Sequence, residues 1–98
     1  MIIKSAGNQP DQVRVTFQLP GTIWAETVHL AGDFNGWNRT SHPLTRKSEE
    51  AWEITLLLQA GRSYQFRYLI NGTHWQNDWK ADRYVPNPFG GDNSVLET

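Results

Sequence analysis

The chain has no cysteine, a single methionine, and no apolar run approaching the roughly 18 residues that a membrane-spanning helix needs. Without cysteine there is no disulfide framework, no thiolate nucleophile and no thiolate metal site, so the fold rests on packing alone whatever the redox compartment. Charge of one sign is also scarce. Nine Lys and Arg stand against ten Asp and Glu, a formal net charge of −1. Such a chain has no cationic field with which to neutralise a phosphate backbone or an acidic membrane, which argues against nucleic acid and membrane as partners. Residues 1–10 (MIIKSAGNQP) lack the apolar centre of a secretory leader, and the default expectation is a cytoplasmic protein. Ninety-eight residues support one core and exclude a multidomain enzyme.

Aromatic rings, by contrast, are abundant. Five Trp, four Phe and three Tyr are more than a core of this size easily buries, so some are expected to face solvent. Much of the chain alternates with period two. Val13, Val15, Phe17 and Leu19 oppose Arg14, Thr16 and Gln18; Val28 and Leu30 oppose Thr27 and His29 within residues 26–32. Trp52, Ile54, Leu56 and Leu58 form a third strand, and Tyr64, Phe66, Tyr68 and Ile70 a fourth, whose other face carries Gln65, Arg67 and Leu69. Asn71-Gly72 is the dipeptide of a type I′ hairpin turn, with Thr73 to Gln76 returning and a last short strand near residues 93–97. Six or seven short strands separated by turn residues predict an all-β, antiparallel β-sandwich over residues 12–98. Residues 1–11 are expected to be a flexible N-terminus. Residues 38–50 read as an exposed connection anchored by Leu44, and residues 77–91 as a long loop pinned to the sandwich by Trp79 and Tyr84. Trp24 and Trp52 are expected to pack in the core.

The residues offer little to an enzyme. His29, His42 and His74 sit on three separate elements without metal-ligand spacing, and no cofactor motif is present. Glu49-Glu50 are adjacent, which suits a solvated face better than opposed acid and base. Gly90-Gly91 lacks the strand-to-helix context and lysine of a phosphate loop. What stands out is rings on loops beside polar groups. Trp37 follows one Asn-Gly turn and Trp75 another, Arg67 points outward on the strand feeding the second, and Phe89 and Asn93 flank a Gly-rich bend. A pyranose has an apolar C–H face that packs on an indole, and hydroxyls at its rim that need guanidinium or amide partners.

These residues fall in a longer pattern. Residues 28–37 (VHLAGDFNGW), then 43–46 (PLTR), 64–72 (YQFRYLING) with Trp75, and 87–96 (NPFGGDNSVL) resemble the glycogen-binding domain of the AMP-activated protein kinase β subunit. They are also similar to the early-set domain at the N-terminus of isoamylases and branching enzymes. The likeness spans about residues 12–97. It implies an immunoglobulin-like sandwich that binds α-1,4-linked glucans such as glycogen, starch or maltooligosaccharides, without catalysis. It implies that Trp37 and Trp75 stack glucose rings, that Arg67 replaces a Lys of the kinase-type domains, and that Asn93 bonds a glucose hydroxyl. Phe89 stands where those domains have Leu and is read two ways, as a ring against ligand or as the anchor of its loop. Gly91 replaces a hydroxylated residue, so that hydrogen bond is lost, and the stretch between Gly72 and Trp75 is one residue longer. The expected partner is an α-glucan, with a glycoside hydrolase or other glucan-active protein recruited in trans. The competing expectation is a protein-interaction or scaffold domain of the same fold whose aromatic patch meets another chain.

Overall fold

The computed structural model of the chain describes residues 1–48 and 51–98. Among them are nine strands: β1 (Ile2–Ala6), β2 (Gln12–Pro20), β3 (Val28–Gly32), β4 (Thr45–Ser48), β5 (Ala51–Gln59), β6 (Ser63–Ile70), β7 (His74–Gln76), β8 (Arg83–Pro86) and β9 (Asp92–Glu97). They build two antiparallel sheets, ordered β1-β2-β5-β4 and β3-β6-β9-β8. In the second sheet β6 is central. One edge pairs with β3, and the other is shared by β9, against residues 63–66, and β7, against residues 68–70.

The period-two stretches become the facing surfaces of a sandwich. Val15, Phe17 and Leu19 of β2 and Trp52 and Leu58 of β5 meet Val28 and Leu30 of β3, Phe66, Tyr68 and Ile70 of β6, and Leu96 of β9. Each such side chain withdrawn from water contributes about 1.5–3 kcal/mol. Phe17 meets Phe66 edge-on, with centroids 5.1 Å apart, and Phe66 meets Tyr68 the same way at 5.8 Å. At the end of the core the Tyr68 hydroxyl donates to Asp78 Oδ2 at 2.7 Å, and burial together with that carboxylate pushes the phenol well above its ordinary pKa. Asp78 is buried but well partnered: its Oδ1 accepts from the Lys80 amide, its own amide donates to Ser94 Oγ, and Oδ2 also meets the Met1 amino group.

The predicted hairpin forms. Asn71 and Gly72 have φ of 53° and 73°, and the Thr73 amide closes the turn on the Ile70 carbonyl at 3.2 Å. Leu44 is buried as expected. Five expectations are corrected. Within residues 1–11, expected to be flexible, Ile2–Ala6 pair with β2 as β1, and Lys4 meets Asp82 at 2.6 Å. The connection 38–50 contains β4, and the loop 77–91 contains β8; both are four-residue edge strands paired to β5 and β9. Trp24, expected in the core, is 89% exposed on the loop between β2 and β3, whereas Trp52 is buried, its indole N–H donating to the Ile23 carbonyl. Trp79 is exposed, and Tyr84 holds its segment through its hydroxyl, which donates to the Asp78 carbonyl. Glu49 and Glu50, read as solvated charges, lie outside the described residues. Among the described residues no helix is long and apolar enough to cross a membrane.

The outer face of the second sheet carries Arg67, one of the residues singled out from the sequence. Gln65 and Arg67 lie on it, away from the core, as the alternation of β6 predicts. Leu69 shares that face yet is buried, because it stands in register with Trp75 on β7 and His29 on β3, which flank it on both sides.

Candidate functional site

An open depression of about 540 Å³ lies over this outer face. Trp37, Arg67, Trp75, Phe89 and Asn93, the five residues singled out from the sequence, all line it, together with Arg39, Gln65, Asn87 and Pro88, which were not. Residues from four separate stretches of chain thus converge on one surface.

Trp37 is set by the turn that ends β3. Asp33–Asn35 form a single 3₁₀ turn, after which Gly36 and Trp37 both take left-handed conformations, with φ of 63° and 59°. For a tryptophan such a backbone is costly and persists only where neighbours enforce it. The Trp37 amide donates to the Gly32 carbonyl at 2.9 Å, and its indole N–H donates to Asp33 Oδ1 at 3.1 Å. Asp33 Oδ2 accepts from the Gln65 amide at 2.8 Å, so one carboxylate ties the Trp37 indole to the edge of β6. Asn35 braces the turn from within, accepting from the Gly32 amide at 3.0 Å and donating to the Leu30 carbonyl at 3.0 Å. Gly32 is obligatory here, since a Cβ would lie 2.5 Å from the Gln65 carbonyl oxygen and 2.8 Å from Phe66 Cβ.

Trp75 sits on β7, delivered by the Asn71-Gly72 turn. The Asn71 side chain also accepts from the Glu26 amide at 2.8 Å, fastening the hairpin to the neighbouring loop. Two guanidinium groups approach the Trp75 ring, Arg39 Cζ at 5.6 Å and Arg67 Cζ at 5.7 Å from its centroid. Each such contact contributes about 0.5–1 kcal/mol when exposed and more when desolvated. Arg67 Nε is buried without a hydrogen-bond partner among the described residues.

The third side of the depression is the loop between β8 and β9. Asn87 Oδ1 accepts from the Phe89 and Gly91 amides at 2.9 and 3.3 Å, while its Nδ2 donates to Asn93 Oδ1 at 3.3 Å. Asn93 is buried and donates to Gln65 Oε1 at 3.0 Å. Asn87 therefore anchors the loop, and Phe89 does not: its ring is 93% exposed. Of the two readings of Phe89, the loop-anchoring one does not fit this geometry.

The arrangement offers three rings around a floor of amide and guanidinium groups, with no carboxylate among the described lining residues. Apolar C–H surface can be received by the rings and hydroxyl groups by Arg67, Gln65 and Asn93. Sequence reasoning missed Asp33, Arg39, Gln65 and Asn87. Asp33 stands four residues before Trp37, but its second partner, the Gln65 amide, is distant in sequence and carries no local signal.

Comparison with known proteins bears on this surface. A stretch of 30 residues, 31% of the chain, is 57% identical to a 1,4-alpha-glucan-branching enzyme of Dictyostelium discoideum, of which it covers 4%. The chain is also 34% identical over 68 residues to a 1,4-alpha-glucan branching enzyme of Butyrivibrio fibrisolvens, covering 64% of the chain and 10% of that enzyme. A branching enzyme of Xanthomonas campestris matches at 35% over 48 residues, 45% of the chain and 7% of the enzyme. The chain thus spans a tenth or less of the length of these relatives. The family model described as carbohydrate-binding module 48 (isoamylase N-terminal domain) matches residues 8–85, most of the sandwich and two of the three sides of the depression. The protein belongs to the carbohydrate-binding module 48 (isoamylase N-terminal domain) family.

Proposed function

We propose that the depression binds α-1,4-linked glucans such as glycogen, starch or maltooligosaccharides, with Trp37 and Trp75 stacking on glucose rings, Arg67 and Asn93 bonding hydroxyls and Phe89 closing one side. The observation that carries this reading is the convergence of Trp37, Trp75 and Phe89 around the amide and guanidinium floor on one open face. The role is binding without catalysis, and the partner beyond the glucan is a glycoside hydrolase or other glucan-active protein. An open site with two stacked rings gains about 1–3 kcal/mol per ring by analogy with base stacking, and association opposes much of it. Affinity for a short oligosaccharide is therefore expected between about 10 μM and about 1 mM, with avidity on a polymer. Retention on a glycogen affinity gel tests the reading: Trp37→Ala and Trp75→Ala should each elute early while remaining folded. Unchanged retention of both variants, or capture of a protein partner that maltoheptaose does not displace, would favour a scaffold role instead.

A further inference from the structure

We propose that Arg39 and Arg67 form an anion-recognition element in this depression, and that the site prefers α-glucans carrying a phosphate monoester over unmodified ones. The sugar part of this inference rests on the glucan reading above; the anion part rests on the two guanidinium groups. Both lie within 5.7 Å of the Trp75 ring centroid, which puts their central carbons within about 11 Å of each other. Neither forms an ion pair or a side-chain hydrogen bond among the described residues. Of the other arginines, Arg83 pairs with Glu97 at 2.6 Å, Arg14 donates to Asn8 at 2.9 Å and Arg46 to the Gly21 carbonyl at 3.2 Å, while Arg62 lies outside the lining of the depression. Arg67 Nε is moreover buried and unpartnered, a donor held in place with no acceptor.

No lining side chain among the described residues pairs with these charges. Among the described residues the lining carries two cationic groups and no carboxylate; nearby Asp33 keeps its charge but spends its two oxygens on the Trp37 indole and the Gln65 amide and pairs with neither arginine. Neutral hydroxyls are served adequately by amides such as those of Asn93 and Gln65. Arg67 can bond such hydroxyls as well, but a second unpaired guanidinium, Arg39, beside the same ring adds like charge whose repulsion a neutral sugar does not relieve. A phosphate monoester removes the repulsion. It presents three acceptor oxygens and about −1.5 to −2 charge at neutral pH, and the planar fork of arginine matches it bidentately.

The test is calorimetric titration of the chain with phosphorylated maltodextrins released from starch, with the same pool after phosphatase treatment, and with glucose 6-phosphate and inorganic phosphate. The phosphorylated pool should bind about tenfold tighter than the dephosphorylated one. That ratio should shrink at high salt and as pH falls through about 6, where the ester loses its second charge. Arg39→Gln should collapse the ratio toward one, whereas Lys47→Gln, an equal change in net charge on exposed β4, should not. Equal affinity for both dextrin pools overturns the proposal and leaves the glucan reading standing. Binding of inorganic phosphate or glucose 6-phosphate with no binding of any dextrin overturns it too, and removes the glucan reading with it.

Discussion

Asp33 is where the fold and the site are joined, and Asp33→Ala is the perturbation that separates them. Its Oδ1 accepts from the Trp37 indole at 3.1 Å and its Oδ2 from the Gln65 amide at 2.8 Å. Both bonds are exposed, so each contributes at the low end of the usual range, and their joint loss should destabilise the chain by about 1–2 kcal/mol in urea unfolding. The effect on binding has a different origin. With its N–H released, the Trp37 ring must be ordered by the ligand instead of by the protein. Immobilising one such side chain costs about 0.5–1.5 kcal/mol, or roughly a two- to tenfold loss of affinity for maltoheptaose. A double-mutant cycle then isolates the coupling. In a Trp37→Ala background there is no indole left to order, so Asp33→Ala should still destabilise through the Gln65 amide yet leave affinity where Trp37→Ala alone put it. Calorimetric titration of the four proteins reads the cycle directly. Full, additive loss of affinity in both backgrounds would refute the idea that Asp33 acts on ligand through Trp37.

Three further expectations follow from the same geometry. Gly32→Ala drives a Cβ to 2.5 Å from the Gln65 carbonyl oxygen and 2.8 Å from Phe66 Cβ, and should cost about 2 kcal/mol or more by thermal melting. Because the Tyr68 phenol has a raised pKa in the folded state, its contribution is complete below the unfolded value of 10.0 and is lost as pH rises beyond it. Tyr68→Phe should therefore be about 1–2 kcal/mol less stable at neutral pH, with Asp78 short of a donor, yet lose less than the parent chain above about pH 10 in pH-resolved melts. Asn87→Ala removes the acceptor of the Phe89 and Gly91 amides and the contact to Asn93; melting and titration should show about 1–2 kcal/mol of lost stability and weaker glucan binding.

The parts of the molecule that could be read from sequence are those in which burial imposes a period. β2, β5 and β6 each carry one apolar face, and the face opposite to Phe66 and Tyr68 correctly located Arg67. The left-handed pair Asn71 and Gly72 was likewise legible, because few other residues tolerate that backbone. β1, β4 and β8 were not. Their sequences, IIKSA, TRKS and RYVP, have no sustained alternation, and what makes them strands is the open backbone edge of a neighbour. The site divides in the same way. The two Asn-Gly turns marked Trp37 and Trp75, and the alternation of β6 marked Arg67, but the Asp33–Gln65 and Arg39–Trp75 contacts join stretches far apart in sequence and left no local signal. Trp24 failed in the opposite sense: its place before a strand suggested packing, yet it lies on a loop where no apolar surface covers it.

The central claim, that rings on the outer face of the second sheet hold an α-glucan, is tested most directly by calorimetric titration of the chain with maltoheptaose, using cellohexaose as the control. Saturable binding of the α-linked sugar alone, between about 10 μM and about 1 mM and lost in Trp37→Ala/Trp75→Ala, is the predicted result. No saturable binding up to about 10 mM, or equal binding of the β-linked sugar, would contradict it.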